Sequence, residues 1–238
     1  MQAIILAGGK GTRLKPYTVA FPKPLVPVGD WPILEVIIRQ LARCGVERVT
    51  VLTGHLAELI EAYFGNGSRW NVKMEYVREH APLNTAGALK LVENCDEDFL
   101  VMNGDILTSL DYGALFNRHC SMKVIATVAT RVREAKIDFG VVETNPDGLL
   151  IGYQEKPVYT FPVSMGVYVL NRRCKDWIAD GESLGMPNLL LRLVESGQRV
   201  FCYRSDAYWL DIGRLDDYEQ AQREFESKKS LLLAPDGS

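Results

Sequence analysis

The stretch that decides the fold is Ala3-Ile4-Ile5-Leu6-Ala7-Gly8-Gly9-Lys10-Gly11-Thr12-Arg13-Leu14. Its first five residues form an unbroken apolar run, the pattern of a strand buried on both faces of a parallel sheet. The glycines that follow let backbone N–H groups approach phosphate oxygens closely. Three phosphate-binding designs compete for such a loop. A Walker A loop needs G-x-x-x-x-G-K-[ST], which is absent. A dinucleotide fingerprint needs G-x-G-x-x-G; Gly9 and Gly11 supply its first half, but Leu14 stands at the third glycine. The chain then continues through Pro16, Pro22, Pro24, Pro27 and Pro32, so residues 15–32 are expected to form a stiff, extended loop rather than a helix on the pyrophosphate.

Downstream, strands and helices alternate. Ile33, Val36, Ile37, Ile38 and Leu41 give a helix face, with Gly45 suited to its C-terminal cap. Val49–Leu52 reads as a strand, Leu56–Phe64 as a helix and Lys73–Val77 as a strand. Thr85 is expected to cap a helix reaching Asn94. Phe99–Met102 is another buried strand, and Asp111 a cap for a helix to Cys120. This alternation predicts an α/β protein with a parallel sheet covered on both faces. Past Lys123 the chain becomes richer in hairpins. Gly140–Thr144 and Leu149–Gln154 flank Asn145-Pro146-Asp147-Gly148, a turn signal. Strands at Val163–Leu170 and Val200–Tyr203 follow, with helices near Lys175 and Pro187, a short strand at Tyr208–Asp211 and a last helix from Arg214 to Ser227. A lightly docked tail is expected from Leu231.

Composition narrows the function classes. The 238 residues are 47% hydrophobic and 24% charged with a net charge of −3, which gives no general field for nucleic acid or anionic membrane. No apolar run approaches the roughly 20 residues of a membrane span. Cys44, Cys95, Cys120, Cys174 and Cys202 are dispersed, as are His55, His80 and His119, so zinc-ligand spacing is absent. The chain opens on a strand without a basic leader, and scattered thiols suit a reducing compartment, so a cytoplasmic location is expected. His55 reads as a structural histidine, and Trp31, Trp70 and Trp177 as core or partner surface.

Five motifs together carry a resemblance. They are Leu6–Leu14 with Phe21-Pro22-Lys23-Pro24-Leu25-Val26-Pro27-Val28; Pro82-Leu83-Asn84-Thr85-Ala86-Gly87-Ala88-Leu89; Asn103-Gly104-Asp105; Glu155-Lys156-Pro157; and Trp209-Leu210-Asp211-Ile212-Gly213. In this order they resemble the signature of sugar-1-phosphate nucleotidylyltransferases, and most nearly the mannose-1-phosphate or heptose-1-phosphate guanylyltransferase branch. The resemblance implies a Rossmann-like three-layer αβα fold, with a mostly parallel mixed sheet and an inserted β-rich sugar-binding region. It implies one domain over residues 1–228: a nucleotide-binding half at 1–122, a sugar-binding half with the second metal ligand at 123–213, and a tail at 229–238. The implied substrates are a nucleoside triphosphate, with a lean to GTP, and a sugar 1-phosphate; neither nucleic acid nor membrane is an expected partner, and the chain is expected to be a monomer or homodimer.

The implied roles are specific. Arg13 and Lys23 are the catalytic cations. Arg13 offers a planar fork to the triphosphate tail and Lys23 a point charge at the attacked α-phosphate. Leu6, Ala7, Gly8, Gly9, Gly11, Thr12 and Arg13 bind nucleotide, together with Glu79, Thr85, Ala86, Gly87, Asn103 and Gly104. Glu79 would accept from guanine N1–H and N2–H₂. Gly140, Glu155, Lys156 and Gly166 hold the sugar phosphate, and Asp105 and Asp211 bind Mg²⁺ with phosphate oxygens and water completing an octahedron. Other readings differ in acceptor or base, such as thymidylyl, uridylyl or cytidylyl transfer, or replace catalysis by nucleotide-sugar sensing. A dinucleotide-dependent oxidoreductase is weakened by Leu14 and the proline loop.

Overall fold

The structure, a computed structural model, describes residues 1–233. The first half contains β1 (Gln2–Ala7), β2 (Pro27–Val28), β3 (Trp31–Pro32), α1 (Ile33–Arg43), β4 (Arg48–Thr53), α2 (Ala57–Phe64) and β5 (Lys73–Arg78). It continues through α3 (Asn84–Gly87), β6 (Asp98–Asn103), β7 (Ile106–Thr108) and α4 (Tyr112–Met122). The second half holds β8 (Ala126–Lys136), β9 (Val141–Thr144), β10 (Leu150–Gln154), β11 (Val158–Asn171), α5 (Met186–Glu195), β12 (Val200–Arg204), β13 (Trp209–Asp211) and α6 (Leu215–Leu232).

Seven strands make the central sheet in the order β12-β8-β11-β6-β1-β4-β5. β1 runs parallel to β4 and β6, β4 to β5, and β12 to β8; β11 alone is antiparallel to its neighbours β6 and β8. The mostly parallel mixed sheet is the one expected. Alternation along β1 explains its apolar run: Ala3, Ile5 and Ala7 join one core, while Ile4 joins the other and Leu6 packs against it. Helix α1 places Ile33, Leu34, Val36, Ile37, Ile38 and Leu41 in the first core at 0% exposure, each contributing about 1.5–3 kcal/mol by burial. Gly45 follows its C-cap at φ +78°, the left-handed conformation that ends helices. Leu189 and Leu193 of α5 join the second core, completing three layers.

Two buried polar side chains of the scaffold, Glu35 and His119, are paired. Glu35 on α1 is fully buried and accepts from Tyr63 Oη at 2.6 Å, Trp70 Nε1 at 3.2 Å and Arg39 Nε at 3.0 Å. That accounts for Trp70 as a core residue. His119 sits between Thr127 Oγ1 (2.8 Å) and Asp98 Oδ1 (3.3 Å), and burial lowers its pKa against the opposing pull of Asp98. All five cysteines are free thiols.

The structure departs from expectation in five places. Residues 15–32 are coiled, not extended: 3₁₀ turns occupy Tyr17–Val19 and Lys23–Leu25, after another just before the segment at Thr12–Leu14, and β2 pairs with β3. Prolines set φ for such turns as readily as for extended chain. Thr85 caps nothing; its hydroxyl accepts from Met186 N at 2.7 Å, and α3 ends after four residues in a 3₁₀ turn, Ala88–Leu91. The segment near Lys175 is likewise a 3₁₀ turn, Arg172–Trp177. β8 and β11 extend far beyond their apolar segments, because the two strands pair with each other out to Lys136 and Val158. α6 continues past Ser227 to Leu232, which is buried and accepts from Gln40 Nε2 at 3.0 Å.

Candidate active site

At the carboxyl edge of β1 and β6 a cavity of about 740 Å³ opens, the place where open α/β sheets bind ligands. Leu6 to Arg13, Asn103 to Asp105, Lys23 and Gly213 line it. The loop glycines differ in what they do. Gly11 sits at φ +59°, where a Cβ would lie 2.8 Å from Thr18 Cγ2, and its carbonyl accepts from Thr18 Oγ1 at 2.7 Å. Gly104 N donates to Leu6 O at 2.9 Å, tying the two segments together. Nothing lies within 4 Å of a Cβ built on Gly9; that opening faces the space where a phosphate would approach the backbone.

Charge converges around Asp105. Lys23, delivered by its 3₁₀ turn, forms a short ion pair with Asp105 Oδ2. Among the described residues Asp105 Oδ1 is buried without a partner. β7 pairs antiparallel with β13, setting Asp211 opposite Ile106, and Ile212 N donates to Asp105 O at 3.0 Å. The two carboxylates are thereby neighbours. Burial raises the pKa of Asp211, with Asp105 as the next cause and Lys23 pulling the other way. A Cβ on Gly213 would lie 3.3 Å from Asp211 Oδ1 and 3.7 Å from an Arg13 terminal nitrogen, so Arg13 reaches the same corner.

These groups fit a magnesium ion. An orphaned carboxylate oxygen beside a second carboxylate is a place where a cation could bind, while the Lys23 ammonium pairs with the other Asp105 oxygen. Among the described residues no three His, Cys, Asp or Glu side chains cluster as metal ligands. Two carboxylates suit Mg²⁺, which keeps waters and takes substrate phosphate oxygens.

Glu79 also lines the cavity, held by Leu83 N donating to Oε2 at 3.3 Å. A Cβ on Gly8 would lie 2.1 Å from Glu79 Oε1, so Gly8 is what lets this carboxylate lie over the loop. Burial raises the pKa of Glu79, partly offset by the Leu83 N–H. Lys10, Thr12 and Thr85 also line the cavity. Ala86 and Gly87 do not. Both are buried, their N–H groups donate to Leu184 O at 2.8 and 2.9 Å, and a Cβ on Gly87 would lie 2.1 Å from Glu182 O. The missing side chain of Gly87 admits the 182–184 backbone. His55, read as structural, is instead exposed at the cavity mouth with His80. Its position after the sharp β4 end at Gly54, whose added Cβ would strike Gly8 O at 2.7 Å, was its one sequence signal.

The sugar-side residues separate into two groups. Gly166, at φ +70° in a β11 bulge, faces Asn103 Nδ2, which an added Cβ would meet at 2.8 Å. Gly140, Glu155 and Lys156 lie on the β9–β10 hairpin and do not line this cavity. Gly140 makes room for the Tyr153 hydroxyl, which donates to Glu155 Oε2 at 3.1 Å; Glu155 and Lys156 are exposed.

Comparison with known proteins places the chain among nucleotidyltransferases. A UTP–glucose-1-phosphate uridylyltransferase of Synechocystis is 34% identical over 94% of this chain and 63% of its own. A D-glycero-alpha-D-manno-heptose 1-phosphate guanylyltransferase of Aneurinibacillus thermoaerophilus is 33% identical over 95% of this chain and 99% of its own. A Mycobacterium tuberculosis mannose-1-phosphate guanylyltransferase is 31% identical over 92% of this chain and 62% of its own. The chain thus spans less than two thirds of the Synechocystis and mycobacterial proteins. The solved structure of HddC from Yersinia pseudotuberculosis complexed with GMP-PN superposes with a TM-score of 0.71 at 26% identity, covering 94% of this chain and 99% of that one. The model of the nucleotidyl transferase family matches residues 2–228, and the chain belongs to that family.

Proposed function

We propose that this chain transfers a nucleoside monophosphate from a nucleoside triphosphate to a sugar 1-phosphate. A phosphate oxygen of the sugar attacks the α-phosphorus, the new O–P bond forms as the bond to the β-phosphate bridging oxygen breaks, and pyrophosphate leaves. The observation that carries the reading is Lys23 on Asp105 beside an unpaired buried carboxylate oxygen, at the end of a glycine loop. The attacking oxygen is already ionised, so catalysis is positioning and charge neutralisation. Arg13 takes the triphosphate tail, and Lys23 the charge building on the α-phosphate. Asp105 and Asp211 would hold Mg²⁺, which when bound supplies further neutralisation of phosphate charge.

The base is GTP's in this proposal. Glu79 offers two acceptor oxygens in the cavity, matching guanine N1–H and N2–H₂; the heptose- and mannose-phosphate guanylyltransferase relatives and the GMP-PN complex support it. The sugar is accordingly a mannose- or heptose-like 1-phosphate. Uridylyl transfer to glucose 1-phosphate is the second reading, favoured by the Synechocystis relative. Pyrophosphate release over five nucleoside triphosphates crossed with hexose and heptose 1-phosphates decides. Highest kcat/KM with GTP is expected; preference for UTP with glucose 1-phosphate establishes the second reading, and no release with any pair sinks both. The chain's expected cytoplasmic location rests on composition; among the described residues no helix is long and apolar enough to cross a membrane.

A further inference from the structure

The turn that delivers Lys23 has little of its own to hold it. It is three residues long and is closed by two backbone bonds, Leu25 N to Pro22 O at 2.9 Å and Val26 N to Lys23 O at 3.1 Å. Before it, Val19 and Phe21 are exposed. After it, β2 and β3 have two residues each, and their first pair is Pro27 with Pro32, neither of which has an N–H to give. A two-stranded piece of that size is marginal alone.

Helix α6 grips the loop from far down the chain. Gln222 Nε2 donates to Pro27 O at 2.9 Å, and Gly29 N donates to Gln222 Oε1 at 3.0 Å, across 195 and 193 positions of sequence. Pro27 O can only accept and Gly29 N can only donate, so one orientation of the amide serves both. The same Nε2 donates to Tyr218 Oη at 2.6 Å, and the Tyr218 ring packs on Tyr17 with centroids 5.1 Å apart. Gly29, at φ +57°, lets the bend press onto Phe225, whose Cδ1 an added Cβ would meet at 2.7 Å. Tyr218, Gln222 and Phe225 follow the spacing of four then three that sets side chains on one helix face. That face touches the loop on both sides of Lys23, at Tyr17 before it and at Pro27 and Gly29 after it.

We propose that Tyr218 and Gln222 are positioning residues for Lys23, so that α6 fixes where the ammonium stands. The N-cap of the helix, Arg214, directly follows Asp211-Ile212-Gly213. One helix thus carries the second carboxylate at its start and the lysine loop on its side. Lys23 has a flexible four-carbon stem, and a reacting group misplaced by about 1 Å costs about a hundredfold in rate. Neither Tyr218 nor Gln222 lines the cavity, so both act through the loop. The inference rests on the nucleotidyl-transfer reading for what Lys23 does, while the grip on its turn is measurable without turnover.

A double-mutant cycle on the full chain is the test. Gln222→Ala should lower kcat for pyrophosphate release about tenfold with KM for the triphosphate nearly unchanged, and Tyr218→Leu should act in the same direction. In a Lys23→Ala background, Gln222→Ala should cost nothing further, because the group it positions is gone. Gln220→Ala, on the exposed side of α6, should behave as wild type. Without substrate, the Leu25 and Val26 amides should exchange with solvent about tenfold faster in Gln222→Ala and at the wild-type rate in Gln220→Ala. A kcat near wild type in Gln222→Ala, or a loss that persists in full in the Lys23→Ala background, overturns the proposal, and so does unchanged exchange at both amides. A wild type that releases no pyrophosphate with any substrate pair removes the reaction instead; faster exchange in Gln222→Ala then still supports the grip of α6 on the Lys23 turn.

Discussion

Replacing Gly87 with alanine separates packing from base recognition. Gly87 has helical dihedrals, φ −57° and ψ −38°, where alanine alone would gain about 1 kcal/mol. The structure sets a larger cost against that gain. The new Cβ would lie 2.1 Å from Glu182 O, 3.1 Å from Leu184 N and 3.3 Å from Glu182 C, all backbone atoms with no rotamer to escape into. Relief demands a shift of roughly 1 Å between the two segments, an overpacking cost of about 1–3 kcal/mol. The same shift stretches a staple of bonds: Ala86 N and Gly87 N to Leu184 O, Leu184 N to Leu83 O at 3.0 Å, and Met186 N to Thr85 Oγ1. Each is worth about 0.5–1.5 kcal/mol. Net destabilisation of about 2–4 kcal/mol is expected, a fall in Tm of about 5–12 °C for a chain of this size. The assay is thermal unfolding beside KM for the triphosphate measured well below the transition. An unchanged Tm with a raised KM would refute the reasoning and return Gly87 to the base pocket.

Lys23→Ala and Asp105→Asn should each lower pyrophosphate release about a hundredfold or more while circular dichroism stays native; a rate near wild type in either rules out the proposed roles. Glu79→Gln replaces one acceptor oxygen by a donor and should cut kcat/KM for GTP about tenfold to a hundredfold; an equal loss with every triphosphate would show that Glu79 does not read the base. His119 has a pKa below its ordinary 6.5 because it is buried, so the unfolded chain binds the proton first as pH falls. Stability is therefore full above about pH 6.5 and declines from there toward the lower folded-state value, by at most about 1.4 kcal/mol per pH unit. His119→Gln should flatten that part of a urea-midpoint profile, and an unchanged slope would remove His119 as its source.

What the sequence made legible follows from local physics. The apolar runs of β1, β4 and β6 and the stripe of α1 are written in consecutive residues, and the structure places them as read. The loop at Gly8–Gly11, Arg13, Lys23, Glu79, Asp105 and Asp211 also converge in one region. Failures cluster where a distant segment decides. Thr85 looked like a cap because its neighbours carry cap chemistry; Met186 N claims its hydroxyl instead. Gly87 is also small for a reason no local reading shows, the close approach of the 182–184 backbone. The outer halves of β8 and β11 are polar and mixed, and only their mutual pairing makes them strand.

The pairing of β7 with β13 joins parts of the chain synthesised at very different times. Thr108 Oγ1 donates to Tyr208 O across 100 positions, and Asp105 meets Asp211 through the same short ladder. A nascent chain emerging from the ribosome presents the glycine loop first, when the second carboxylate has not yet been made. Contacts of such long range form late in folding. A chain cut before Asp211 therefore carries the glycine loop and Asp105 without the second carboxylate. The ladder ties the meeting of the two carboxylates to the synthesis of a segment about a hundred residues downstream.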